Sequence, residues 1–268
     1  MRPSASHRNP SLPLLAGLIL WLAFPGDSRA TRLELEPGAR IVILGNALAE
    51  GMTAHSYFEA ALQCAFPNHN LLVRNMGWSG DQVSDLEREP GFGDLDSHLF
   101  AVGPDLIFAF FGFNESFGGS AGIPKFRKEL AQFIRDRTSQ NYNGKTPPEL
   151  VLVSPVPYRQ VAPESPREAS INANLRLYRD AMREICIESK VRFLDILTAF
   201  EAESQGSRRP FTDNGIHLNA YGHWMLSKIL ADKLGLIVET PESDFWGAEA
   251  VRRLVTKKNL LWLNRWRP

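Results

Sequence analysis

Five short apolar runs, each separated from the next by polar or helical sequence, constrain this chain more than any other feature. They are RIVIL (40–44), NLLVRN (70–75), DLIFAFF (105–111), ELVLVS (149–154) and VRFLDI (191–196). Helical spacing of apolar residues covers Leu48–Cys64, Ile123–Arg137 and Ile171–Lys190, and Leu218–Leu234 follows the last run. Near-continuous apolar strands alternating with helices predict a parallel sheet buried on both faces. The expected fold is therefore a three-layer α/β/α sandwich, with any site at the carboxyl ends of the strands. Pro and Gly clusters at Gly118–Pro124 and Tyr142–Pro148 predict loops.

The two ends of the chain differ from this pattern. MRPSASHRNPS carries Arg2 and Arg8, LPLLAGLILWLAF (Leu12–Phe24) is apolar, and small residues stand at Ser28 and Ala30. That order predicts an export signal cleaved after Ala30, with an uncleaved anchor as the alternative. The apolar stretch is short for a membrane span. The expected organisation is a leader over 1–30, one domain over 31–236 and a basic helical tail over 237–268. The tail, WGAEAVRRLVTKKNLLWLNRWRP, has two readings. It meets a membrane or partner, or it packs an apolar stripe on its own domain with its charges solvated, which is the commoner behaviour.

Lys+Arg and Asp+Glu number 30 each, so net charge gives no reason to expect nucleic acid as a partner. Cysteine and histidine show no metal-ligand spacing, and neither a metal nor another cofactor is expected. Cys64 and Cys186, the only cysteines, lie on apolar helical faces and read as free buried thiols rather than a disulfide.

Four segments fall after strands or in the last loop: GNAL (45–48), NMGWSGDQVSDL (75–86), FFGFNES (110–116) and TDNGIHLNAYG (212–222). In order and spacing they resemble the SGNH/GDSL hydrolase family, over about Arg40 to Leu234. The resemblance implies a parallel, flavodoxin-like five-stranded sheet and acyl-ester hydrolysis, with a small-molecule or carbohydrate ester as ligand. It also implies residue roles. The family's nucleophilic serine corresponds to Ala47, its oxyanion-binding glycine to Gly80 and its oxyanion-binding asparagine to Asn114. His217 takes the place of the catalytic base, and Asn214 that of the aspartate which orients it. GDS at Gly26–Ser28 spells the family's signature in the leader, without a preceding strand, and is set aside.

So the oxyanion half of the site is present while the nucleophile and orienting acid are replaced. In comparable triads, losing the serine costs about 10⁶ in turnover. Changing the aspartate to asparagine costs about 10⁴, because the histidine takes the wrong tautomer. What remains is ~10³ over water from the oxyanion hole and binding. Asp213 is a candidate replacement for the missing carboxylate, and Glu115 a candidate base for direct attack by water, although an exposed Glu115 without a role is the simpler reading. Ser79 and Ser116 read as loop hydrogen-bonders, and Glu50 as a carboxylate suited to a helix N-terminus. Trp78 is either a sugar-stacking platform or a core anchor. His223 reads as a helix residue packed near Trp224. Two functions stay open: an altered hydrolase in which His217 activates water, and a non-catalytic binding domain that keeps the oxyanion donors.

Overall fold

The computed structural model describes residues 32–86, 88, 91–159, 166–205, 209–236 and 249–267. The leader, with its apolar run Leu12–Phe24 and the expected cleavage after Ala30, lies outside the described residues. Thr31–Pro268 forms one compact unit.

Its centre is a sheet of five strands, β1 (Arg40–Gly45), β2 (Leu72–Asn75), β3 (Leu106–Phe110), β4 (Glu149–Val153) and β5 (Arg192–Leu194), in the order β2-β1-β3-β4-β5. Every pairing is parallel. This is the flavodoxin-like order, whose reversal point lies between β1 and β3. Alternate residues supply two cores. Ile41, Ile43, Phe108, Phe110, Val151 and Val153 face one layer, and Val42, Leu44, Ile107, Ala109, Leu150 and Leu152 face the other. Burial on both faces is why the strands carry no polar alternation.

The first layer holds α1 (Ala47–His55), α2 (Tyr57–Ala65), α6 (Ile196–Ser204) and α7 (Ala220–Lys233). The second holds α3 (Leu95–Val102), α4 (Gly119–Ser139) and α5 (Pro166–Ser189). One expected helix, Leu48–Cys64, is two: Ser56 adopts φ 56° and ends α1 before α2 begins. The loop expected over Gly118–Pro124 is instead the start of α4, which contains Pro124 and follows a 3₁₀ turn over Glu115–Gly118. Pro124 lies past the first turn of α4, so it leaves the Ser120 carbonyl without its helical donor and its ring crowds that carbonyl, a local cost that the rest of this long helix offsets. Both cysteines are free; Cys186 is buried, and Cys64 only half-buried.

The last helix, α8 (Glu249–Trp266), docks against α1, α2 and β2. Val255 is buried and Trp262 and Trp266 pack against the second core, so the helix lays an apolar stripe on its own domain, with polar groups set among it. Leu254 and Leu261 point outward, 69% and 66% exposed, while Asn259 is buried. The docking meets a need of the sheet. β2 is an edge strand; Leu72 and Met76 donate to Ala39 and Ile43 carbonyls on the β1 side, so the carbonyls of Val73 and Asn75 face outward. Lys258 Nζ donates to the Val73 carbonyl at 3.0 Å and Trp262 Nε1 to that of Asn75 at 3.1 Å. The helix thus covers an edge that would otherwise invite pairing. Glu59 anchors it, accepting from Lys258 Nζ at 2.5 Å and Asn259 Nδ2 at 2.9 Å.

His223, on α7, is buried and stacks on His55 at 4.4 Å between ring centroids. Burial, with the His55 charge adding to it, pushes its pKa down to about 3. A histidine depressed in the folded state adds stability fully above its unfolded pKa, and that stability is lost as pH falls toward the folded value. Stability should therefore decline below about pH 6.5, by up to about 1.4 kcal/mol per pH unit from this residue. Urea midpoints across that range check it, and His223→Gln should flatten the decline. At neutral pH, Glu59→Ala should cost about 2 kcal/mol, because it strands Lys258 and Asn259 beside β2; an unchanged urea midpoint would remove Glu59 as the anchor of α8.

Candidate functional site

The site is set by how closely β1 approaches β3. Gly45 ends β1 at φ 132°, and a Cβ there would lie 2.2 Å from the Phe110 carbonyl oxygen. The chain turns at once into α1, with Asn46 as its cap: Asn46 Oδ1 accepts from the Leu48 N–H at 3.2 Å. This explains an asparagine at 46 by local structure alone, since such a side chain satisfies an otherwise unpaired donor. Ala47 is the first helical residue, so its N–H belongs to the positive end of α1.

Ala47 lines a narrow cavity of about 20 Å³, together with Phe113, Asn114, Ser154 and Ile216. That is space for the centre of about one water-sized group. Ser154 was not singled out in the sequence, where it ends an apolar run. Its hydroxyl is committed, accepting from the N–H groups of Ile196 and Leu197 at 2.9 and 3.0 Å. Ser116 Oγ donates to the Phe113 carbonyl at 2.6 Å, and Ser79 Oγ donates to Glu50. These three hydroxyls thus serve loops and helix ends, as expected for Ser79 and Ser116.

Gly80 sits in an exposed turn at φ 94°, a conformation glycine adopts without strain. The turn is held to its neighbours on both sides. The Trp78 N–H donates to the Gly45 carbonyl at 2.8 Å, and Asn114 Nδ2 donates to the Asp81 carbonyl at 3.0 Å. A carboxamide nitrogen carries two donors, so this bond orients Asn114 without exhausting it. Glu115 is neither exposed nor placed to act as a base. It is buried, and its two oxygens accept from the Val83 N–H at 2.9 Å and the Gly112 N–H at 2.8 Å. Burial raises its pKa, against the pull of those amides. Its role is to join the two loops that carry Gly80 and Asn114.

His217 and Asn214 meet as the spacing suggested, with Asn214 Nδ2 2.8 Å from His217 Nδ1. The direction of that bond is decided by the other end of the amide. Asn214 Oδ1 accepts from the Ile216 N–H at 3.1 Å and the His217 N–H at 2.9 Å, which keeps oxygen toward the backbone and nitrogen toward the ring. Nδ2 can only donate, so Nδ1 must accept, and the neutral ring carries its proton on Nε2. A carboxylate at 214 would accept from Nδ1 and leave Nε2 free to take a proton. Asp213 does not replace it: His217 Nδ1 is already partnered by Asn214 Nδ2, and Asp213 meets His217 through its backbone N–H, which donates to the His217 carbonyl at 2.9 Å. Ile216 reaches the cavity and His217 follows it in the chain.

Trp78 is not an open platform. The guanidinium groups of Arg88 and Arg267 lie 4.4 and 3.5 Å from its ring centroid, and Phe92 and Trp266 meet it at 5.5 and 6.0 Å with nearly perpendicular rings. Glu50, three residues into α1 from Ala47, does more than complement the helix dipole. It accepts from the Ser79 N–H at 2.9 Å and from Arg267 Nη1 at 2.5 Å. Nothing in the local sequence signals these contacts, because the partners come from opposite ends of the domain. Among the described residues no cluster of His, Cys, Asp and Glu could hold a metal ion.

The tautomer is directly measurable. Long-range ¹⁵N–¹H spectra at mildly alkaline pH should show His217 protonated at Nε2 in the natural chain and at Nδ1 in Asn214→Asp. Protonation at Nδ1 in both would overturn the assignment.

A family model described as GDSL-like lipase/acylhydrolase matches residues 26–225. Among solved structures, the chain is similar to a gut microbial diltiazem-metabolizing enzyme, at 19% identity over 77% of this chain with a TM-score of 0.61. It spans about half (49%) of that enzyme's length. It is also similar to a serine-to-alanine catalytic mutant of Axe2, an acetylxylan esterase from Geobacillus stearothermophilus, at 17% identity over 78% of this chain and 100% of the other, TM-score 0.61. A GDSL-like lipase from Parabacteroides merdae gives 16% identity over 77% and 100%, TM-score 0.62. At these identities the likeness is one of fold. No curated protein matches the chain. The match over 26–225, on the three-layer fold with its flavodoxin-like sheet, makes this chain a member of the GDSL-like lipase/acylhydrolase, or SGNH, family.

Proposed function

We propose that this domain binds the acyl or carboxylate group of its ligand without hydrolysing it, and that it does so outside the cytoplasm. The Asn214–His217 hydrogen bond carries the reading. With the Asn214 oxygen spent on two backbone N–H groups, His217 presents a donor, not a base, beyond its bond to Asn214. Ala47 offers an N–H and no hydroxyl. Gly80 and Asn114 add further donors in the loops beside it. A site built of donors suits an oxygen bearing negative charge, and the start of α1 reinforces it. Among the described residues lining this cavity, none offers a free group to attack the carbonyl or to take the proton from one that does.

The cavity beside Ala47 suits a small acyl group, and the acetylxylan esterase among its structural neighbours acts on esters of that size. An acetylated carbohydrate is therefore the ligand class we favour, with a free carboxylate as the simpler anion. Export rests on the leader sequence, Arg2 and Arg8 before Leu12–Phe24 and small residues up to Ala30.

Hydrolysis of p-nitrophenyl acetate and of an acetylated sugar tests the reading. The natural chain and His217→Ala should be indistinguishable. Ala47→Ser alone should gain little, and Ala47→Ser with Asn214→Asp should exceed the natural chain by about 10³ or more, since the triad acts as a unit. Turnover by the natural chain that disappears in His217→Ala would sink the binding reading and establish water activation instead.

A further inference from the structure

The Trp78–Asp81 turn has little packing of its own. Ser79 and Gly80 are exposed, and no atom lies within 4 Å of where a Gly80 Cβ would be. Its position must therefore come from what grips its flanks. On one flank, Asp81 is held by Asn114 Nδ2 and by Arg88, whose two guanidinium nitrogens each reach an Asp81 oxygen at 2.7 Å. On the other, Ser79 is held through both its N–H and its hydroxyl by one oxygen of Glu50.

Glu50 is held in turn. Its second oxygen accepts from Arg267 Nη1 at 2.5 Å, from a residue 217 positions away. The same guanidinium lies 3.5 Å from the centroid of Trp78, and Trp266 meets that ring edge-on. Arg267 thus touches both the turn and the carboxylate that holds it. A planar, permanently charged group suits this double contact, with one edge for hydrogen bonding and a face for stacking.

We propose that Arg267 is a positioning residue: by fixing Glu50 and Trp78 it sets the turn that carries Gly80, so a side chain just past α8 governs the geometry of a site built on α1. The grip stands on the contacts above; only its consequence for a ligand rests on the proposed role of Gly80. Arg267 lies just beyond α8, which is docked independently through Lys258, Asn259 and Trp262. Removing its side chain should therefore leave the helix in place.

Amide exchange in the full chain gives a readout that general stability would not reproduce. In Arg267→Ala, exchange at Ser79 and Asp81 should quicken about tenfold, as expected for losing one charge-assisted hydrogen bond. Amides of β1 and of α8 should keep their natural rates. Arg267→Lys should restore part of the protection, keeping the charge but not the planar stack. Lys257→Ala, on the exposed face of α8, should change nothing. In the Ala47→Ser/Asn214→Asp background, adding Arg267→Ala should lower kcat more than it raises KM, because an oxyanion donor acts chiefly on the transition state. Unaltered exchange at Ser79 in Arg267→Ala would overturn the proposal, as would equal acceleration throughout α8. If the background proves inert, the proposed role of the pocket fails while the exchange data still decide the grip.

Discussion

The close approach of β1 to β3 at Gly45 is the constraint on which the rest depends. With no Cβ to hold them apart, the Gly45 backbone and the Phe110 carbonyl lie against each other at the reversal point of the sheet. That contact sends the chain after β1 directly into α1 and the chain after β3 into the Asn114 turn. The two therefore open into one cavity. Any side chain at 45 would push the strands apart and separate Ala47 from Asn114. Glu115 then completes the frame from beneath, joining the Asn114 turn to the segment after Gly80 with two backbone hydrogen bonds. A rigid frame of this kind pre-orients donors, and such pre-orientation gives them their strength toward a negatively charged oxygen.

On that frame the chemistry turns on the direction of one hydrogen bond. An asparagine and an aspartate occupy the same space at 214, and either can satisfy the Ile216 and His217 N–H groups with one oxygen. They differ at the atom facing the imidazole. A carboxylate oxygen accepts there and an amide nitrogen donates, and the histidine must answer with the opposite role. The consequence reaches the far side of the ring, where a proton acceptor becomes a proton donor. Together with a methyl group at 47, which offers no nucleophile, this underlies the proposal that the site holds an acyl oxygen rather than transferring an acyl group.

The sequence made the sheet legible because both-sided burial leaves an unmistakable pattern; each of the five apolar runs contains a strand. The site segments were legible for a related reason, since loops at the carboxyl ends of successive strands converge wherever the strands are parallel. Short-range exceptions were not. Ser56 breaks one helix in two by adopting a left-handed conformation that serine rarely takes, and α3 and α6 are too short to show a period. Charges were misread where their partners were distant. Glu115 resembled a solvated side chain because its partners are backbone amides on another loop. Glu50 resembled a dipole-complementing residue, and the choice for Trp78 between a sugar platform and a core anchor stayed open, because Arg267 stands at the other end of the chain. The outward leucines of α8 show the same limit, since its docked face is chosen by Glu59 and the open carbonyls of β2.

Backbone and side-chain amide signals followed during titration with acetate show whether this pocket of donors holds a carboxylate oxygen. The N–H signals of Ala47 and Gly80 and the Asn114 side-chain amide should shift together along one saturable curve, with no ester cleaved when an acetylated sugar replaces acetate. Amide signals that stay still at saturating acetate, or that move only elsewhere in the domain, would contradict it.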